Sequence, residues 1–550
     1  MKSFPNLVRV MMVIVVASLL ASCGPAAPDP TATPIDEPVE TPVDEPIETP
    51  VDEPEATPEP EPDPDVVENV LVYAYPRTIG QLDPSLILSS ECNLSWNVWG
   101  NLTLWDPDEG IQPMLASDWE SNEDATEWTF YLHQDAKCHD GTDLTADDVK
   151  FSFERTIDVG ALAYVFAPVD SMEVVDEKTI KFHMHYPTPA DYLFANNWGT
   201  AIMCRGVEDK PAEWFAEGNA IGAGPYMLES YEPGTRLTLT KFEDWIGGWE
   251  ENSFDTVIME LVEDPTVRMA MLRGGEADLA WGIPFDDFDA LEAAPGVKPI
   301  AIPAFQNLQY HFNMKRPPLD DLRVRQALLH AFPYDDAAQG TYAGFGVPAE
   351  GAVPRTMWDP PVETQVYNHD LERARELLDD AGVQELDLLL GVEVNAPDAT
   401  MAAQLWQGEL AQLGINLRIQ EISSPRRWDE VYTPDTEFDI MYIHMYIGYD
   451  SPNEYLGSLW HSEWTWYPFS GYESQEFNDL IEEALSLEAV ARDESDRLYQ
   501  AGEQLLYDEA VALFALDLPQ DWAIREDVAG FKPNPLYGYS AFLWQLTREQ

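Results

Sequence analysis

The sequence predicts an α/β fold with parallel or mixed sheets, built as two to four units, and three observations carry that expectation. Runs of strand character and runs of helical periodicity alternate from residue 67 to the C-terminus. At roughly 150 residues per domain, 550 residues exceed one core of ordinary size. Hydrophobic residues make up 45% and aromatics 11%, enough to fill large cores and too much for a wholly disordered polymer.

The N-terminal segments come first in chain order. Lys2 and Arg9 accompany an apolar run over 10–20. That run is too short for a hydrocarbon core of about 30 Å but suits a signal peptide. It ends in Leu20-Ala21-Ser22-Cys23-Gly24, which resembles a bacterial lipobox. Residues 1–22 are therefore expected to be a lipoprotein signal peptide, and Cys23 an acylated N-terminus that tethers an exported protein. Residues 24–66 carry 14 acids and no base, in four copies of an eight-residue unit beginning at Thr33, Thr41, Thr49 and Thr57. Closely spaced prolines and like charges favour an extended, largely polyproline II spacer that buries no core. With Cys23, it forms an expected tether over 23–66.

In the body, strands are expected at 70–74, 128–133, 179–186, 237–241, 308–312 and 438–442. Helices are expected at 146–155, 265–273, 321–331, 370–380, 399–413, 475–487 and 493–508. Thr145 and Asp370 sit where N-caps belong, and Gly382 follows a helix as a C-cap does. Three cysteines remain, Cys92, Cys138 and Cys204. In an oxidising compartment one pair can bridge and one thiol is left over, and the spacing does not say which.

Charge narrows the function. The net charge is −70, from 30 bases and 100 acids, which disfavours nucleic acid and anionic lipid surfaces as partners. There is no G-x-S-x-G, H-E-x-x-H, phosphate-loop or dinucleotide-loop motif, and no C-x-x-C, so no catalytic residue, cofactor or metal is expected. His183 and His185 lie on one face of an expected strand with Lys181, and a solvated face accounts for them better than a metal site.

The body carries a series of longer motifs. Residues 113–155 read PMLASDWESNEDATEWTFYLHQDAKCHDGTDLTADDVKFSFER; IGAGPY follows at 221–226, DWIGGW at 244–249 and LRGGEAD at 272–278. FNMKRPPLDDLRVRQALLHAF occupies 312–332, YNHDLERARELLDDAG 367–382 and LAQLGINLRIQ 410–420. Together they resemble the family 5 extracellular solute-binding proteins over essentially all of 67–550, departing at Cys138, where an aromatic is usual. Most of the motifs read as scaffold, such as the glycine-proline turn of IGAGPY.

The resemblance implies a two-lobed, periplasmic-binding-protein-like fold that closes on solute by a hinge. Lobe I is expected at 67–308, with an extra subdomain at about 110–210, and again at 514–550. Lobe II is expected at 309–513, with crossovers near 308–313 and 513–519. The implied protein is no enzyme but a lipid-anchored, monomeric receptor at the cell envelope. It captures peptides and hands them to an ABC permease and its ATPase subunits. An oligosaccharide receptor, or one for a nickel chelate, opine or other small solute, are the alternatives on the same fold, and a hydrolase is the remaining one.

In dipeptide-binding relatives an Asp holds the peptide amine and an Arg its carboxylate. Aligned on Pro452, the first place falls on Gly448 and the second on Thr400 or Met401. Both charged anchors are therefore missing, unless Asp450 substitutes for the first by a two-residue slip. The expected solute site comprises Tyr446, Gly448, Tyr449 and Asp450 after a buried strand. Trp428 joins them as an aromatic position that lines the pocket in the family. Ser89, Ser90, Asn93 and Trp96 are expected from the segment after Leu82-Asp83-Pro84.

Overall fold

Two long antiparallel strands, Val297–Phe312 and Ala512–Arg525, organise the molecule. The computed structural model describes residues 69–87, 92–358 and 367–549. The expected signal peptide, Cys23, the spacer, Ser89 and Ser90 lie outside the described residues. The two strands are paired from Val297 opposite Arg525 to His311 opposite Ala512, and the register shifts between Pro303 and Asn307. There Pro303 faces Pro519. Neither has an N–H to give, so the ladder lapses where these residues meet.

Each end of this ribbon builds a half-sheet. Toward Arg525 it pairs with Leu279–Trp281, and the order continues through Val70–Tyr75, Thr256–Leu261, Arg236–Lys241 and Tyr226–Glu232. Toward Phe312 it pairs with Ile440–Tyr446, then Leu386–Glu393 and Ile415–Ile422. The short strand Val347–Pro348 adds to Ala512–Arg525, making eleven strands in all. In the first half Val70–Tyr75 is parallel to both Leu279–Trp281 and Thr256–Leu261. In the second, Leu386–Glu393 is parallel to Ile415–Ile422 and Ile440–Tyr446. Leu386–Glu393 and Ile440–Tyr446 are largely buried on both faces, whereas Ile415–Ile422, at the sheet edge, exposes Asn416, Arg418 and Glu421.

The expected strand 308–312 is thus only the end of a sixteen-residue strand. Pro299 and Pro303 read as breakers in the sequence; here they are accommodated opposite Ala523 and Pro519. The helices follow the expectation more closely. Ala146–Val159 begins at Thr145, whose N–H donates to Asp148 at 2.8 Å. Leu371–Ala381 begins at Asp370, which accepts the Arg373 N–H at 2.9 Å, and ends at Gly382 in the left-handed region.

A separate antiparallel sheet of Ala116–Ser121, Glu127–Leu132, Thr179–Met184 and Val169–Asp176 packs under Ala146–Val159. Phe130, Phe153, Phe182 and Phe194 interlock there, with centroids 4.5 to 5.9 Å apart for the contacting pairs. Ile180, Phe182 and Met184 point into this core, while Lys181 and His183 lie on the solvated face beside Glu127. Cys138, the residue that departs from the family pattern, forms a disulfide with Cys204. Cys92 is buried, its Sγ 3.3 Å from the Ser540 hydroxyl.

Candidate functional site: the cleft between the half-sheets

In open α/β sheets ligands bind beyond the carboxyl ends of parallel strands. Both half-sheets turn such ends toward each other. Val70–Tyr75 is followed by Pro76 and Arg77, while Tyr446 ends Ile440–Tyr446. Asp398 stands in the first turn of Pro397–Ala411, and Trp428 in Ser424–Tyr432. Contacts close the gap at three places. The Tyr446 ring is 5.5 Å from Trp198 and 6.2 Å from Tyr539. Phe285 stacks on Phe345 at 5.2 Å. The Asn197 N–H donates to the Gly448 carbonyl at 2.9 Å.

Tyr446 stands in the gap between the halves. Its side chain is 40% exposed, yet burial between the two halves raises its hydroxyl pKa. A side chain surrounded by protein and still open to water lines a cleft. Gly448 is buried at the junction, and a Cβ there would fall well inside van der Waals distance of the Asn196 amide oxygen. The space a charged anchor would need at this position is filled.

Other expected residues sit elsewhere. Asp450 is 16% exposed and lies 3.7 Å from Arg492, which also meets Asp496 at 3.1 Å and Glu488 at 3.8 Å. Burial raises the Asp450 pKa and Arg492 opposes it. Asp450 therefore belongs to an ion-pair cluster within the fold. Tyr449 is half-buried against the core, and burial holds its hydroxyl well above the usual range. Trp428 packs beside Trp466 and Tyr467 with the Arg427 guanidinium 4.3 Å over its ring. Arg427 is in turn fixed by Glu393 at 2.5 Å.

Asn93 and Trp96 are both buried. Their role is support. Asn93 Nδ2 donates to the Tyr539 carbonyl at 2.5 Å, and its Oδ1 accepts the Ala541 N–H at 2.9 Å. Trp96 Nε1 donates to Asn197 at 3.2 Å and its ring packs on Tyr537 at 4.6 Å. They fix the loops whose neighbours, Tyr539 and Trp198, reach the cleft.

Several cleft residues escaped the sequence reading. Asp398 Oδ2 is 2.9 Å from His444 Nε2 and accepts the Tyr342 hydroxyl. Burial disfavours its charge, but His444 and Tyr342 hold its carboxyl well below the usual range. Asp521 is half-buried on the second crossover strand, and burial pushes its carboxyl up to about 7 against the pull of Arg268 and Arg77. A shallow depression opens on the outer flank, lined by Tyr75, Arg77, Tyr231 and Arg236. Among the described residues, no group of three or more His, Cys, Asp or Glu is placed to hold a metal.

Residues 110–467 of this chain match the middle region of the bacterial extracellular solute-binding proteins, family 5. The chain belongs to that family. Family 5 proteins are substrate-binding receptors of ABC importers rather than a class of enzymes. A probable D,D-dipeptide-binding periplasmic protein of Escherichia coli is 26% identical over 484 residues, 86% of this chain and 93% of that protein. A dipeptide-binding protein of the same organism is 26% identical over 478 residues, 78% of this chain and 84% of that one.

Solved structures of other family 5-like proteins confirm the two-lobed fold. The Helicobacter pylori periplasmic binding protein DppA, solved with the peptide STSA, superposes with a TM-score of 0.73 at 21% identity. That match covers 88% of this chain and 98% of the other. NikA of Brucella suis, solved with Fe(III)-EDTA, gives 0.78 at 18% identity, covering 87% and 100%. Among the described residues, no helix is long and apolar enough to cross a membrane.

Proposed function

We propose that this family 5 receptor captures peptides between its two lobes and presents them to an ABC permease driven by separate ATPase subunits. The observation that carries the reading is the cleft. Aromatic and polar side chains at the carboxyl ends of two half-sheets face each other, and the halves are joined through one two-stranded ribbon. The printed functions of the Escherichia coli relatives supply the solute class. The lobes divide as 67–308 with 514–550, and 309–513, the extra subdomain being the small antiparallel sheet and its surroundings at about 110–210. The chain works as a monomer, anchored at the cell envelope through lipid on Cys23, with 24–66 as a spacer that keeps the receptor near its transporter.

Mass spectrometry of the small molecules released when the purified protein is denatured tests the solute class. Peptides are expected; a hexose oligomer would replace the peptide reading with the sugar one, whose pyranose faces suit the same aromatic walls. Anchoring has its own test. Cys23→Ala should remain unprocessed or leave the membrane fraction, and a variant that fractionates like the wild type would refute the lipid tether.

A further inference from the structure

A row of aromatic rings crosses the cleft and ends on a cation. Trp281 lies 5.1 Å from Tyr539, Tyr539 lies 6.2 Å from Tyr446, and Tyr446 lies 5.5 Å from Trp198. The rings are held in place. Tyr539 donates to Gln306 at 2.9 Å, Gln520 donates to the same oxygen at 2.9 Å, and Trp281 Nε1 donates to Gln520 at 3.3 Å. At one end the Arg77 guanidinium sits 5.2 Å over the Trp281 ring. At the far end the Trp198 indole N–H finds no acceptor among the described residues.

Arg77 differs from the cations that the fold has already used. It is exposed, it stands just past the carboxyl end of Val70–Tyr75, and among the described residues it has no ion pair. This occurs in a chain with 100 acids to 30 bases. Burial raises the hydroxyl pKa of both Tyr446 and Tyr539, and the Arg77 charge opposes it at each, which places the guanidinium in electrostatic reach of the cleft. Asp521 feels it too, but makes no ion pair with it. Stacked on an indole, a guanidinium keeps its planar fork of donors free for a carboxylate, an arrangement that lysine does not reproduce.

We propose that Arg77, seated on Trp281, binds a carboxylate of the solute, and that Tyr539, Tyr446 and Trp198 receive its side chains. The row is at most roughly 20 Å long, the length of about six extended residues, so it fits short peptides bearing a free terminal or side-chain carboxylate. The assignment rests on the capture reading above and names where in the cleft the anion goes.

The test is isothermal titration of the unliganded protein with Ala-Phe-Ala-Phe, as the free acid and as the C-terminal amide. The free acid should bind at least tenfold more tightly than the amide. Arg77→Ala should remove that difference and leave amide binding and the melting temperature unchanged. Arg77→Lys should restore only part of it. Equal affinity of acid and amide, or an Arg77→Ala variant that keeps the preference, overturns the assignment and leaves peptide capture standing. Binding of neither peptide also overturns it, and the co-purified solute then decides the capture reading by itself.

Discussion

Gly448 carries a consequence that its small size conceals. Its carbonyl is tied to Asn197 across the cleft, and the Asn196 side chain occupies the room where its Cβ would point. Asn196 is buried and its Oδ1 accepts the Trp198 N–H at 2.9 Å, so it has little freedom to retreat. Gly448→Ala should therefore destabilise the protein by about 1–3 kcal/mol, the usual range for overpacking. Urea denaturation reads this directly, and an unchanged midpoint would mean that the lobes part without cost at this point.

Buried carboxylates set the pH response, residue by residue. Burial pushes Glu503 up to about 8, and Asp517, Glu454 and Asp521 up to about 7. Such groups bind more protons folded than unfolded between pH 4 and their folded pKa values, so stability falls as pH rises through that window. Asp398 works the other way. Its lowered pKa contributes stability above the unfolded value, lost as pH falls below about 4. Unfolding free energy should peak near pH 4.5–5.5 and decline toward pH 8. Glu503→Gln should flatten the alkaline decline, and a parallel decline in that variant would show that net charge, not this carboxyl, governs the slope.

At the scale of elements, the disulfide is the clearest single contribution. Cys138 and Cys204 are 66 residues apart, and closing a loop of that length in the unfolded chain is worth about 4 kcal/mol in the chain-entropy account. A Cys138→Ser, Cys204→Ser double variant should lose stability of that order in guanidinium. A loss under about 1 kcal/mol would place the loop's order in its packing instead.

Elements also explain what the sequence could and could not reveal. Helices such as Leu371–Ala381 were legible because cap, apolar face and C-terminal glycine agree locally. The strand Val297–Phe312 was not, because its prolines are tolerated only through partners more than 200 residues away. Tyr446 was legible as the end of a buried strand, and Arg77 could have been found by the same rule. Asn93 and Trp96 are buried, and in sequence an aromatic or amide near a cleft reads the same whether it lines the wall or braces it from behind. Tyr539 and Trp198 lie on loops brought there by distant contacts, and nothing local marks them.

For the whole molecule, charge is the dominant unbalanced quantity. The body from residue 67 holds 28 bases and 86 acids, and self-repulsion at that excess opposes compaction. Raising NaCl from low concentration to about 0.5 M shortens the screening length to a few ångströms and should raise the melting temperature. A flat or falling melting temperature over that range would show that local ion pairs, such as those of Arg492, outweigh the general field.

The facing prolines, Pro303 and Pro519, bear on how such a molecule changes shape. A ribbon bends as perforated paper does, along the line where nothing has to tear. Folding the two halves about this line breaks no ladder bond between those two residues, so little restoring force opposes the swing. A receptor built this way is held shut by what crosses its cleft, here the Asn197–Gly448 hydrogen bond and the Tyr446 ring contacts. The contacts a solute makes with both walls at once, which only the shut form can offer, then decide how long it stays shut.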